Sequence, residues 1–352
     1  MKKEVTKKTA ITFLFIMGLI SLLADFTHEG ARSIYGPYLG LLGTSAFLIA
    51  LISGLGEFIG QALRVVTGFI ADKTRKYWTM MIVGYAINLL AIPMLMFVKP
   101  SIAYVALVLI LLERVGKGIR APAKSALTSF TTSHFGVGKA FALQELMDQI
   151  GAFLGPIFVF AIIKIQSGDE LLGYQTAFGL LGIVAIMTLV VIVIARTKYP
   201  HPDEFEEKKT ANGSLWKLSF IVYLIAIGFL AMGFIDYPIL AFHMDQTASF
   251  DVEWIPLIYA MAMGIDALSA LFFGMLFDKY KIIALIIPTA LSIAIAPVFF
   301  LMDGTIGIIL GIVIWGIAMG AMESVLKSVI ASLVSKEKRA TAYGIFYTVF
   351  GA

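Results

Sequence analysis

Long apolar runs separated by short polar breaks occupy most of the chain. Each run approaches the length of about 20 residues that an α-helix needs to cross the hydrocarbon core of a bilayer. The pattern predicts ten spans and the beginning of an eleventh after Arg339. Numbered in chain order, the ten spans cover residues 9–35, 45–71, 78–98, 102–123, 140–164, 171–195, 215–243, 254–277, 282–301 and 305–334.

The composition agrees with this pattern. Apolar residues make up 59% of the chain and charged residues 14%, and the mean hydropathy is +0.92. Ordinary soluble domains of this length are far less apolar, so the sequence predicts an all-α polytopic membrane protein in a lipid bilayer. The chain contains no cysteine, which excludes disulfides and thiolate metal sites.

Lysine and arginine residues flank the spans asymmetrically. If the N-terminus is cytoplasmic, the basic residues of nearly every loop lie inside, and only Lys99 and Lys164 lie outside. The positive-inside rule describes this distribution, and the inverted topology would reverse it. We therefore expect a multi-pass protein of the plasma membrane with a cytoplasmic N-terminus. The net charge of +4 then reflects orientation and not binding to nucleic acid.

Two segments of the first half recur in the second half. GFIADK at 68–73 resembles GMLFDK at 274–279, and AKSALTS at 123–129 resembles LKSVIAS at 326–332. The offsets of 206 and 203 residues indicate a duplicated six-helix unit. The expected domains are an N-terminal six-helix bundle (1–195), a cytoplasmic linker (196–214) and an incomplete C-terminal bundle (215–352). Two repeats with a site at their interface are a common plan for secondary transporters.

Ionisable residues are distributed unevenly among the spans. Spans 3, 6 and 9 contain none in their apolar cores, whereas each of the other seven spans contains at least one. A charge that faces lipid costs several kcal/mol, so we expect spans 3, 6 and 9 to face lipid and the others to surround an aqueous path.

Span 1 carries four ionisable residues on one face of the predicted helix. Asp25, His28, Glu29 and Arg32 are spaced i, i+3, i+4 and i+7. Asp25 and Glu29 are candidates for reversible protonation, because burial favours the neutral form of a carboxyl group. The alternative is a structural ion cluster in which Arg32 or His28 pairs with a carboxylate.

Spans 4 and 5 bring charges of opposite sign to similar depths near the cytoplasm. Lys117 and Arg120 on span 4 are expected to pair with Glu145 or Asp148 on span 5, and Arg64 on span 2 has a comparable depth. Such a cluster would be either an inner gate or permanent scaffolding.

Other charged residues lie deeper in the predicted spans. Glu57 on span 2 and Asp266 on span 8 fall near the membrane midplane, where each is a candidate for binding substrate or a proton, with a static interhelical pair as the alternative. The remaining candidates for the wall of the path are Asp236, Glu323 and Lys327.

Three motifs resemble those of the major facilitator superfamily. GFIADKTRK at 68–76 is similar to the family's loop motif through Gly68, Asp72 and the basic residues Lys73, Arg75 and Lys76. RVGKGIRA at 114–121 is similar to the helix 4 motif, and GAFLGP at 151–156 is similar to part of the helix 5 motif of antiporters. The stretch with Asp25 and Glu29 resembles a poorly characterised branch whose members are regarded as efflux proteins.

The resemblance implies a fold of twelve helices in two bundles, and it implies roles for several residues. Asp72, Lys73 and Asp278 would take part in gating, by clamping the outward-facing state. Arg114 would take part in proton coupling or substrate contact. Because this chain stops inside the eleventh helix, we expect it to be a piece of a longer protein.

The sequence lacks a phosphate-binding GxxxxGK[ST] loop and the motifs of an intramembrane enzyme, so an ion gradient is the expected energy source. We expect a non-enzymatic, monomeric secondary transporter without cofactor or metal, which exports a small solute by proton antiport. The alternative is a symporter or uniporter for uptake of an organic anion, with Arg64, Arg114 and Arg120 as binders. A scaffold or receptor would need no carboxylates at the midplane.

Overall fold

The computed structural model describes residues 7–131, 136–166, 169–205, 217–235, 240, 244, 255–302 and 304–351. In these ranges the ordered elements are all helical. The α-helices are α1 (Lys7–Arg32), α2 (Tyr35–Leu41), α3 (Ala46–Thr74), α4 (Tyr77–Met94), α5 (Ala103–Ser129), α6 (Val137–Ile165), α7 (Glu170–Lys198), α8 (Leu218–Gly233), α9 (Ile255–Tyr280), α10 (Ile286–Leu301), α11 (Gly304–Leu333) and α12 (Arg339–Gly351). Short 3₁₀ turns cover Leu95–Phe97, Pro100–Ile102, Pro202–Phe205, Lys281–Leu285 and Lys336–Lys338.

These helices confirm the predicted all-α class, and most predicted spans agree with them to within a few residues. The short helix α2 was not predicted. Helix α5 ends at Ser129, six residues beyond its predicted end, because the prediction followed apolarity while the backbone hydrogen bonds continue through the polar segment KSALTS. Helix α8 ends at Gly233, and most of the remainder of predicted span 7 lies outside the described residues.

Seven stretches in the described part of the chain are long and apolar enough to cross a membrane, and α8 is a shorter apolar helix. Helix α5, with 27 residues, is long enough to cross but carries five charged side chains, namely Glu113, Arg114, Lys117, Arg120 and Lys124. A helix with this charge needs polar partners within the protein.

The chain forms two compact units. Unit 1 contains residues 1–135, 150–215 and 334–352, and unit 2 contains residues 136–149 and 216–333. Helix α6 therefore begins in unit 2 and continues in unit 1, and α12 belongs to unit 1 although it comes last in the chain. The division predicted from the repeats, at 195 and 215, stays a prediction.

In unit 1, α4 packs along α5 and α7, α1 packs along α7, and α3 packs along α5 and α12. The core contains a cluster of aromatic rings at one end of α1, where Phe13 contacts Trp78, Tyr199 and Phe205 with centroid distances of 5.3 to 6.0 Å. Within unit 2, α11 packs against α9 and α10. Tyr223 on α8 donates a hydrogen bond of 2.6 Å to the carbonyl of Leu326 on α11.

Glycines allow the charged helices to approach each other closely. At the crossing of α4 and α5, a Cβ on Gly116 would clash with the backbone of Asn88 and Gly84. In unit 2, a Cβ on Gly320 of α11 would clash with the backbone of Asp266 on α9. The glycines Gly151 and Gly155 of the helix 5 motif pack in the same way against the backbone of α1. Small residues at such crossings are typical of membrane helices.

The repeated loop motif makes the same contact in both units. In unit 1, Asp72 accepts hydrogen bonds from the backbone N–H groups of Ala340 (3.2 Å) and Thr341 (2.7 Å), at the start of α12. The Thr341 and Tyr77 hydroxyls also donate to Asp72, at 2.7 and 2.9 Å.

In unit 2, Asp278 accepts hydrogen bonds from the backbone N–H groups of Gly138 (2.8 Å) and Lys139 (3.1 Å), at the start of α6. A carboxylate in this position satisfies free N–H groups and interacts favourably with the helix dipole. Three residues beyond each aspartate, Arg75 and Lys281 adopt left-handed backbone conformations with φ of 57° and 56°. The duplicated sequence therefore produces duplicated helix caps and turns.

We expect Gly116→Ala to lower the melting temperature of the protein, because the added methyl group must push α4 away from α5. Overpacking of this kind costs about 1–3 kcal/mol. The measurement is thermal unfolding of the purified protein in detergent, followed by tryptophan fluorescence.

Gly54→Ala is the matched control for this variant. Gly54 lies in α3 with open space around the position of a Cβ. Its replacement should leave the melting temperature equal or slightly higher, because alanine is the better helix former by about 1 kcal/mol. If Gly116→Ala has the same melting temperature as the wild type, the result contradicts close packing of α4 against α5 at Gly116.

We expect Asp72→Ala to expose the start of α12 and Asp278→Ala to expose the start of α6, because each substitution removes the acceptor of two backbone N–H groups. Hydrogen exchange followed by mass spectrometry should show faster exchange in residues 340–345 for the first variant and in residues 138–143 for the second. Each variant is the control for the other. Uniform acceleration over both segments in either variant would argue against local capping.

Candidate functional site

The charged face of α1 lies against α5 in unit 1. His28 is completely buried, Glu29 is mostly buried, and Arg32 in the last turn is about half exposed, at 49%. Arg32 lies 3.5 Å from Glu29, so the outer end of the face carries an i, i+3 ion pair. The side chains of Asp25, His28, Glu29 and Arg32 are 17%, 0%, 24% and 49% exposed, so exposure increases from His28 toward the end of the helix.

His28 contacts charged groups through both ring nitrogens. Its Nδ1 atom lies 2.7 Å from Glu113 Oε1, and its Nε2 atom lies 2.9 Å from Lys117 Nζ. His28 Nδ1 has no hydrogen bond of good geometry among the described residues, so its contact with Glu113 is described as a close charge interaction. Glu29 Oε1 is 3.5 Å from Nε2. The imidazole ring thus lies between the carboxylate of Glu113 and the ammonium group of Lys117, both on α5.

Glu113 has polar partners on two helices. It is 1% exposed, and its backbone carbonyl and Oε1 both accept hydrogen bonds from the Asn88 side chain of α4. Its Oε2 lies 3.3 Å from Arg114 Nε. Asn88 is completely buried and belongs to a span that the sequence assigned only to lipid contact. Asn88 was missed because it is polar but not ionisable, and the prediction for the spans considered only ionisable residues.

The two arginines of α5 also have acidic partners in unit 1. Arg114 Nη1 lies 2.6 Å from Oε1 of Glu57 on α3, whose side chain is half exposed. Arg120 Nη2 lies 3.5 Å from Asp25 Oδ1 on α1. Arg120 also donates to the Tyr85 hydroxyl at 3.1 Å and lies 4.4 Å from the centroid of that ring.

We call this set the α1–α5 cluster. Its carboxylates are Asp25, Glu29, Glu57 and Glu113, its permanent cations are Arg32, Arg114, Lys117 and Arg120, and its histidine is His28. With all eight ionised and the histidine neutral, the charges cancel. Tyr35 on α2 also interacts electrostatically with members of the cluster. The charged residues of α7 lie only in its terminal turns, away from the middle of α1.

Unit 2 contains a second group of charges. Ligand-type oxygens of Glu145, Asp266 and Glu323 all lie within 4.8 Å of one another, and we call these residues the carboxylate triad. Lys327, one turn from Glu323 on α11, donates a hydrogen bond of 2.8 Å to Glu145 Oε2. The triad thus joins a residue assigned to gating with two residues assigned to the transport path.

The other predicted residues lie outside these two groups. Arg64 on α3 is partly buried, with its guanidinium 4.5 Å from the centroid of the Tyr347 ring on α12. Asp148 accepts a hydrogen bond of 3.3 Å from Gln144, and Lys73 lies over Phe69. Asp236 lies outside the described residues. The expected pairing of Lys117 and Arg120 with Glu145 or Asp148 joins residues of the two units and stays a prediction.

Spans 3, 6 and 9 each present large apolar side chains on the surface of their units. On α7 these are Leu180, Ile183, Ile186, Met187, Val190, Val193 and Ile194. On α4 they include Val83, Leu90 and Met94. The opposite face carries Tyr85 and Asn88, which accept from and donate to members of the α1–α5 cluster. Span 3 therefore combines an apolar surface with polar partners for buried charge.

Comparison with known proteins places the chain in a family. The model of the Major Facilitator Superfamily matches residues 7–352. An uncharacterised protein of Mycobacterium tuberculosis is 34% identical over 351 residues, which is 98% of this chain and 84% of that protein. An uncharacterised MFS-type transporter of Methanocaldococcus jannaschii is 25% identical over 351 residues, covering 96% and 84%.

Solved structures share the fold at low sequence identity. A bacterial homologue of the iron transporter ferroportin, in an outward-facing state, has a TM-score of 0.74 at 14% identity, over 96% of this chain and 89% of that one. The fucose:proton symporter of E. coli has a TM-score of 0.71 at 16% identity, over 97% and 89%. The chain therefore belongs to the major facilitator superfamily and has the fold of its multi-pass membrane transporters.

Proposed function

We propose that the protein is a secondary active transporter that exports a small solute in exchange for protons, and that His28 carries the coupling proton. Family membership supports secondary transport. The observation that carries the proton assignment is the position of the buried imidazole between Glu113 and Lys117. Histidine is the side chain whose charge changes most readily near neutral pH.

The contacts of His28 define where a proton can be added. An ammonium group has only donors, so Lys117 at 2.9 Å requires a lone pair on Nε2. The ring is then neutral, with its hydrogen on Nδ1 beside Glu113. Nε2 is therefore the ring nitrogen that can take up a further proton, and it is the atom to which Lys117 donates.

A proton on Nε2 would place two positive charges about 3 Å apart. At an effective dielectric constant of about 20, their repulsion is on the order of 5 kcal/mol. Lys117 must therefore leave the ring when His28 is protonated. Glu29 and Asp25 both act on Lys117 electrostatically and provide acceptors for the displaced ammonium group. Proton binding would in this way move a side chain of α5.

The arginines favour this proposal over uptake of an organic anion. Arg114 pairs with Glu57 and Glu113, and Arg120 pairs with Asp25. Arg64 lies against the Tyr347 ring. An anionic substrate would have to displace carboxylates that already neutralise two of these arginines, at the cost of leaving those carboxylates unpaired.

The export direction rests on the resemblance of GAFLGP to the helix 5 motif of antiporters. The cytoplasmic N-terminus rests on the distribution of lysine and arginine, and the plasma membrane is the proposed location. We propose that the protein acts as a monomer.

We expect His28→Gln to abolish solute transport driven by an imposed proton gradient while solute exchange at equal pH continues, since glutamine cannot take up the proton. Both assays use the protein in liposomes and a panel of radiolabelled organic solutes. His201→Gln is the matched control, because His201 is exposed in the loop after α7. Parallel loss of both activities in His28→Gln would indicate a structural histidine, and full proton-driven transport would refute the coupling role.

We expect a cysteine at position 99 to react with a membrane-impermeant maleimide on intact cells, and a cysteine at position 201 to react only after the membrane is opened. The chain contains no cysteine, so each single-cysteine variant gives an unambiguous signal. The unmodified protein is the control. The opposite labelling pattern would show that the protein has the inverted orientation in the membrane.

A further inference from the structure

The carboxylate triad lacks the internal compensation of the α1–α5 cluster. Glu145 on α6, Asp266 on α9 and Glu323 on α11 converge within 4.8 Å, and Lys327 supplies the one ammonium group recorded against them in the described part of unit 2. With all four groups ionised, the net charge is −2. A buried excess of this size is relieved either by protonation of carboxylates or by a bound counter-charge.

Protonation of the triad would not give the Asp266 carboxyl group a hydrogen-bond partner. Its side chain is completely buried, and neither carboxylate oxygen has a hydrogen-bond partner among the described residues. The ionised form would lack a donor, and the protonated form would lack an acceptor for its O–H group. Glu323 lies within hydrogen-bond reach of Glu145, so those two can share a proton, but that proton does not satisfy Asp266.

A neighbouring amide adds an oxygen in the same condition. Gln149, one turn beyond Glu145 on α6, donates to Glu145 Oε1 at 3.2 Å. The amide oxygen of Gln149 is itself buried without a hydrogen-bond partner among the described residues. Carboxylate and side-chain amide oxygens are the ligands that hard divalent cations prefer.

We infer that the carboxylate triad binds one divalent cation of the hard class, of the size of Mn²⁺ or Ca²⁺. A central cation would give Asp266 the partner that neither protonation state provides, and a charge of +2 would cancel the excess. Three oxygens within 4.8 Å of one another leave a central position no more than about 2.8 Å from each, close to the 2.3–2.6 Å of Ca²⁺–oxygen bonds and longer than those of Mg²⁺. This inference does not depend on the proton coupling proposed above.

Lys327 has a definite part in this inference. Its ammonium group donates a hydrogen bond to Glu145 Oε2, so a positive charge lies beside the proposed ion. Removing that charge should strengthen cation binding, whereas removing a carboxylate should weaken it. The triad therefore predicts changes of opposite sign for neighbouring substitutions on α11.

The test is a titration of the purified protein in nanodiscs with Mn²⁺, followed by the electron paramagnetic resonance signal of the free ion. We expect one Mn²⁺ per chain, displaced by Ca²⁺ more readily than by Mg²⁺. Asp266→Asn and Glu323→Gln should each lower the affinity at least about tenfold, because each removes a charged ligand. Lys327→Gln should raise the affinity.

Matched controls remove exposed carboxylates that lie far along the chain from the triad. Asp203→Asn and Glu170→Gln should leave Mn²⁺ binding unchanged, since both residues are exposed in unit 1. Melting temperatures of all variants without metal separate loss of binding from loss of folding, and Mn²⁺ should raise the melting temperature of the wild type but not of Asp266→Asn. This readout needs no transport substrate.

Three results would overturn the inference. The first is absence of Mn²⁺ and Ca²⁺ binding to the folded wild type at millimolar concentration. The second is binding that persists unchanged in folded Asp266→Asn and Glu323→Gln. The third is an infrared band of a protonated carboxylic acid that disappears in Asp266→Asn and is unaffected by metal, since this would assign protons to the triad.

Discussion

Compensation of charge inside an apolar helical protein is the constraint on which the rest of the structure depends. The charged segments of α1 and α5 lie within long helices, where an unpaired charge costs several kcal/mol. The α1–α5 cluster meets this constraint with four carboxylates and four permanent cations, arranged so that Arg114 lies between two acids and Arg120 beside a third. The burial of His28 is tolerable only because both of its nitrogens face members of this balanced set.

Close helix packing makes the compensation possible. The Asn88 side chain reaches Glu113 because α4 and α5 cross with little space between their backbones. Asp25 on α1 is reached from α5 by the long side chain of Arg120. Gly116 and Gly84 provide that approach between α4 and α5, and Gly320 provides it between α11 and α9 beside Asp266. The glycines of the sequence motifs are therefore part of the electrostatic arrangement, because they set the distances over which the charges act.

The spans, the charged face of α1 and the repeated aspartates could be predicted from the sequence, because each depends on periodicity or identity along one helix. The pairing of Arg32 or His28 with a carboxylate of the same helix was also among the expectations, but the partners on other helices could not be predicted. Depth along the membrane predicted a pairing of Lys117 with Glu145 or Asp148, and that pairing stays a prediction. It gave no indication of the contacts within each unit, Lys117 with His28 in unit 1 and Glu145 with Lys327 in unit 2. Which faces of two helices meet depends on their rotation and crossing angle, and these depend on packing of small residues that a survey of charges does not weigh. Tyr85 and Asn88 were missed for the same reason.

The two charge groups differ in a way that separates their chemistry. In the α1–α5 cluster every permanent charge has a partner, so the proton that we propose for His28 would create an excess of positive charge that movement of Lys117 would relieve. The carboxylate triad has an excess of the opposite sign when its members are ionised, and Asp266 has no hydrogen-bond partner among the described residues. A group whose charges already cancel must rearrange when a proton is added, whereas a group with excess negative charge is stabilised when a cation binds. The first property suits a coupling switch, and the second suits a binding site.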